Sequence, residues 1–100
     1  MSVPEISVVL PCFNELPNLP GLRRRLVTVL EATGRTFEVL FVDDGSCDGS
    51  FEKMRAYAVE DRRLRAIRLS RNFGHQMALT AGVDHARGRL VAVMDADLQD

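Results

Sequence analysis

The chain has 100 residues, 46% hydrophobic and 27% charged, a balance that fits one globular unit spanning residues 1–100 and excludes a disordered tail. Its basic and acidic residues nearly cancel, to a formal charge of −1, so no overall positive field points to nucleic acid as a partner. Apolar runs such as Leu90 to Met94 fall far short of the ~20 residues that a membrane-spanning helix needs, and no basic-then-apolar leader opens the chain, so the expected location is cytoplasmic.

Ile6 to Leu10 is a β-branched apolar run closed by Pro11, which cannot donate to a sheet ladder, and it reads as the first strand. From Leu19, the positions Leu22, Leu26, Val29 and Leu30 recur at helical spacing, with Asn18 as the expected cap and Gly34 as the stop. Phe37 to Val42 is apolar apart from Glu38, the pattern of a strand buried on both faces. Asp48 or Ser50 then caps a second helix that gathers Phe51, Met54 and Ala58 on one face. Leu64 to Leu69 is the third strand, and Arg71 to Gly74 breaks the pattern. A third helix passes through Met77, Ala78, Ala81 and Gly82 and stops near Gly88. Leu90 to Met94 is the fourth strand. The order βαβαβαβ predicts an α/β fold, a parallel sheet with helices on both faces in three α/β/α layers. Cys12 and Cys47 lack the spacing of a zinc or redox pair and are expected to be free thiols.

In an open parallel sheet the carboxyl ends of all strands lie on one edge, where ligands bind. The polar clusters follow the strands: Pro11 to Glu15, Asp43 to Gly49, Arg71 to His75 and Asp95 to Asp100. The connections from helices back to strands hold ordinary turn and surface residues. At the end of the fourth strand Asp95 and Asp97 stand one residue apart, and two such carboxylates repel unless a cation intervenes. Hard oxygens suit Mg²⁺ or Mn²⁺, and Gln99 adds a neutral one. In Asp43-Asp44-Gly45-Ser46, Asp44 can accept from a nucleobase N–H or ribose hydroxyls, and the same residues also fit a plain capped turn. His75 and His85 read as structural or exposed, and Arg23-Arg24-Arg25 as a solvated helix face.

Together, Val9-Leu10-Pro11-Cys12-Phe13-Asn14-Glu15, Val42-Asp43-Asp44-Gly45-Ser46-Cys47-Asp48-Gly49-Ser50 and Asp95-Ala96-Asp97-Leu98-Gln99-Asp100 resemble the family 2 glycosyltransferases. Arg71-Asn72-Phe73-Gly74-His75-Gln76 ahead of Ala81-Gly82 is similar to the subgroup acting on polyprenyl phosphates, the dolichol-phosphate mannosyltransferases and bactoprenol glucosyltransferases. The resemblance covers essentially the whole chain. It implies the N-terminal, nucleotide-sugar-binding part of a Rossmann-like GT-A domain, truncated just after its acidic motif, with a donor of the UDP-glucose or GDP-mannose type. By position, Pro11, Phe13, Glu15, Val42, Asp44 and Ala96 would hold the nucleotide. Asp95 and Asp97 would be catalytic through the metal, which they bind with Gln99, and Arg71 would add a cation near phosphate. The family often has Tyr where Phe13 stands; stacking survives that change and the phenol's hydrogen bond does not. The implied reaction is inverting transfer of a hexose to a polyprenyl or dolichyl phosphate, with membrane association at the cytoplasmic face supplied by a missing C-terminal part. Two other readings are open to the residues: a binding-only or inactive fragment, and a phosphatase of the haloacid dehalogenase type, whose Asp-x-Asp motif ends the first strand of its fold.

Overall fold

A computed structural model describes residues 3–95 of the chain. Four parallel strands form one sheet, β1 (Ile6–Cys12), β2 (Phe37–Asp43), β3 (Leu64–Arg68) and β4 (Leu90–Val93), in the order β3-β2-β1-β4. Three helices connect them, α1 (Leu19–Ala32), α2 (Ser50–Glu60) and α3 (His75–His85), and a 3₁₀ turn at Leu16–Asn18 leads into α1. The alternating order and parallel sheet are those expected from the sequence. The carboxyl ends of the first three strands lie level, since Cys12 pairs with Asp43 and Asp43 with Arg68. β4 lies on the opposite side of β1, with Val9 against Val93. The strand order therefore reverses between β1 and β4, which opens a crevice above their carboxyl ends.

The two-residue period of β1 distributes its side chains between two cores. Val8, Leu10 and Cys12 pack with Val39 and Phe41 against Leu19, Leu22, Leu26 and Leu30 of α1 and Met54 and Tyr57 of α2. Val9 and Val42 face the other way, onto Ala78 of α3. Each fully buried side chain of the size of Leu10 or Phe41 contributes about 1.5–3 kcal/mol of apolar burial. On the second face small residues set the distance: a Cβ on Gly82 would collide with Val9 Cγ1 and stand 3.0 Å from Val42 Cγ2, so α3 lies flush on the sheet.

Several boundaries differ from expectation. β1 continues through Pro11 to Cys12, because backbone groups alternate sides along a strand. Val9 O accepts from Met94 N on the β4 side and Cys12 O accepts from Asp44 N on the β2 side, so Pro11 turns its missing N–H toward β4, which has already ended. β3 stops at Arg68, β4 at Val93 and α3 at His85, each short of its expected limit. Val29 is 63% exposed, because the α1 stripe runs through Leu19, Leu22, Leu26 and Leu30 instead. Met77 is likewise exposed, leaving Ala78 and Gly82 as the buried face of α3. Asn18 makes no capping bond; its side-chain amide donates to Glu15 Oε1 at 2.8 Å. Gly34 does end α1 in a left-handed conformation, φ +71°. The cap of α2 is Gly49, at φ +92° and with no side-chain capping bond, in place of the expected Asp48 or Ser50; Asp48 Oδ1 accepts from Ser50 N at 3.0 Å.

Opposite the crevice, at the amino ends of the strands, Glu38 is a buried charge. Its carboxylate accepts from Ser7 Oγ at 2.6 Å, from the Arg87 amide at 2.7 Å and from the guanidinium groups of Arg65 and Arg87 at 2.9 and 3.2 Å. Gly88 N donates to Ser7 Oγ, which ties the turn between α3 and β4 to the two central strands.

Candidate functional site

Three of the four loops above the carboxyl edge are bonded to one another. From the loop after β1, Asn14 N donates to Ser46 Oγ at 2.8 Å, Glu15 N to Ser50 Oγ at 3.1 Å and Leu16 N to Asp48 Oδ2 at 3.2 Å. In return Asn14 Oδ1 accepts from Cys47 N, with Asn14 itself at φ 52°. Burial works against the charge of Asp48, but the Ser50 hydroxyl and the amides of Leu16 and Ser50 outweigh it and hold the carboxyl below its ordinary value. Asp43 accepts from Ser46 N within its own loop. Much of the acidic loop after β2 is thus the capped turn that its composition also allowed.

The loops surround an open crevice of about 430 Å³. Pro11, Cys12 and Phe13 line it from the end of β1, and Glu15 from the turn beyond. Asp44 closes the floor, Asn72, Gly74 and His75 form the facing wall with Ala78, and Asp95 stands at the rim past β4. Glu15, Asp44 and Asp95, far apart in sequence, share this one cavity as expected. Phe13 is 44% exposed, its ring open to a stacking partner. Burial pushes the Cys12 thiol up to about 12, so it stays protonated near neutral pH.

Two expected residues do not reach the cavity with their side chains. Val42 is fully buried against α3 and does not line it. Arg71 lies outside the lining, its guanidinium 4.9 Å above the ring of Phe73. Ala96, Asp97 and Gln99 lie outside the described residues. Asp95 is therefore the one expected metal ligand that can be placed. Its side chain is 77% exposed, with His75 Nε2 4.0 Å away, which leaves hard oxygens open to a cation. Among the described residues no three His, Cys, Asp or Glu side chains gather as a metal group, so an ion held here would draw further ligands from Asp97, Gln99 or substrate oxygens. The sequence set Arg71 to His75 on the ligand-binding edge without giving Asn72, Gly74 or His75 a specific role. The signal was their position directly after a strand.

Residues 7–100 match the family described as glycosyl transferase family 2. The chain belongs to that family. It is 46% identical over 96 residues to "Uncharacterized glycosyltransferase YkcC" of Bacillus subtilis, covering 96% of this chain and 30% of that protein. It is 42% identical over 99 residues to an undecaprenyl-phosphate 4-deoxy-4-formamido-L-arabinose transferase of Salmonella paratyphi B, covering 98% of this chain and 30% of that protein. Among solved structures it is similar to the mannosyltransferase PcManGT of Pyrobaculum calidifontis in complex with GDP-Man and Mn²⁺, with a TM-score of 0.69 and 26% identity over 97% of this chain and 28% of that one. The chain thus spans about 30% of the length of these curated relatives. The architecture is that of a GT-A sheet, and three strands precede β4 in the chain, so β4 is not the first strand that the phosphatase reading requires.

Proposed function

We propose that the full-length protein transfers a hexose from a UDP- or GDP-linked sugar to a polyprenyl phosphate, with inversion at the anomeric carbon. The observation that carries this reading is the convergence of Glu15, Asp44 and Asp95 on one crevice at the reversal of strand order. The name of the Salmonella relative supports the lipid phosphate as acceptor, and the GDP-Man and Mn²⁺ bound to the Pyrobaculum enzyme support a metal-bound nucleotide sugar as donor. Phe13, Pro11 and Glu15 hold the nucleoside end, with Asp44 beneath them. Val42 serves as backing for this floor through the α3 core, and Ala96, beyond the described residues, is assigned to the nucleotide on the strength of the family motif. Asp95, with Asp97 and Gln99, would hold Mg²⁺ or Mn²⁺, and the ion would supply Lewis-acid stabilisation of the leaving diphosphate of several kcal/mol. Arg71 adds a positive charge beside the crevice wall.

A lipid phosphate oxygen is anionic near neutral pH and attacks without prior deprotonation, so the crevice needs no strong general base. A lipid acceptor and a water-soluble nucleotide-sugar donor together support action at the cytoplasmic face of a membrane. The test is full-length protein with labelled UDP-glucose or GDP-mannose, undecaprenyl phosphate and Mn²⁺, followed by organic extraction. Label is expected in the lipid phase. Asp95→Ala should lower the rate by about a hundredfold or more, the scale of losing one electrostatic stabiliser of a developing charge. Free sugar as the sole product from either donor would overturn the lipid acceptor.

A further inference from the structure

The 71–74 segment has little to hold it by burial. Arg71, Asn72 and Phe73 are all exposed, and the Arg71 guanidinium lies 4.9 Å from the centre of the Phe73 ring. Its attachment is polar and comes from the neighbouring loop. Asp44, only 4% exposed, accepts from Phe73 N through Oδ1 at 2.8 Å and from Gly74 N through Oδ2 at 3.1 Å. Beside it Gly45, at φ +77°, touches the segment backbone to backbone: a Cβ there would stand 2.5 Å from Asn72 N and 2.6 Å from the Arg71 carbonyl carbon. Leu69 N, donating to Asp43 O at 2.9 Å, begins the same seam.

We propose that Asp44 is a positioning residue, which seats the 71–74 segment as the wall of the donor crevice and acts on sugar transfer through that segment. The inference rests on the donor reading above. The seam fixes where Asn72 and Gly74 face the cavity, and where α3 begins with His75 opposite Asp95. A carboxylate has about four acceptor positions, so two backbone donors leave Asp44 able to meet a ligand as well. The distinction is which of the two contributions sets the rate.

The experiment uses the full-length protein with Asp44→Asn and Gly45→Ala, reading amide hydrogen exchange at Phe73 and Gly74 together with donor kinetics. An asparagine amide offers one acceptor oxygen and turns an NH₂ group toward the second N–H, so one bond of the pair is lost. Exchange at these two amides should rise about tenfold, and kcat should fall about tenfold with donor KM changed less than about threefold, the scale of one hydrogen bond to a charged group. Gly45→Ala has no group with which to bind a base, and it should give the same signature by wedging the seam apart. Two results would overturn the proposal: exchange of both amides in the unmodified protein at the rate of a free peptide, or a raised donor KM in Asp44→Asn with kcat and exchange unchanged. Should Gly45→Ala not fold, the other two measurements still decide. If the unmodified protein transfers no sugar, the donor reading fails, and the exchange data judge the seam alone.

Discussion

Glu38 shows how a single carboxylate can depend on its neighbours. Burial disfavours its charge, but the Ser7 hydroxyl, the Arg87 amide and the Arg65 guanidinium outweigh that and hold the carboxyl below its ordinary value of 4.5. A depressed folded-state pKa adds stability that is complete above the unfolded value and is lost as pH falls through the folded one. Glu38→Gln should therefore cost about 1–3 kcal/mol at neutral pH, and urea unfolding across pH 3 to 7 should show a flatter acid limb than the unmodified protein. Asp44 illustrates what sequence can and cannot disclose at this scale. Its place at a strand end identified it as a crevice residue, but its bonds to Phe73 and Gly74 join positions 29 and 30 residues apart and leave no local pattern. Val42 followed from resemblance alone, and the pleat of β2 turns its side chain beneath α3, away from the cavity.

At the scale of elements, all four strands and three helices were legible, because each carries a strong apolar period or run bounded by turn residues. Their ends were less so. Met94 and Leu69 each still donate one backbone bond to the neighbouring strand, although β4 and β3 end one residue earlier, and Pro11 lies in a strand because only one of its two sides needs a partner. The packing distance of α3 is set by Gly82, which sequence marked only as one of several small residues. Gly82→Ala adds a methyl group where Val9 and Val42 already fill the space, although helix propensity favours alanine. The overpacking should prevail and cost about 1–3 kcal/mol, measured as a lowered denaturation midpoint with the slope unchanged.

For the whole molecule, the crevice depends on strand order, and that order cannot be read from a list of alternating elements. A βαβαβαβ string permits β4 on either side of the sheet, and its placement beside β1 is what brings Asp95 to Pro11 and Glu15. The same placement leaves β4 as an edge strand among the described residues, with Leu90, Val91, Val93 and Met94 exposed. Such an edge is a template for strand pairing. Residues 1–100 expressed alone should form concentration-dependent oligomers by light scattering, and Val93→Lys should shift them toward monomer. The central position of β1 also orders events on the ribosome. Among the described residues β1 precedes the two strands that bracket it, and the α1 and α2 core can consolidate around β1, β2 and β3 before β4 emerges. The crevice is therefore complete only once β4 docks beside β1, after the other three strands of the described residues have emerged.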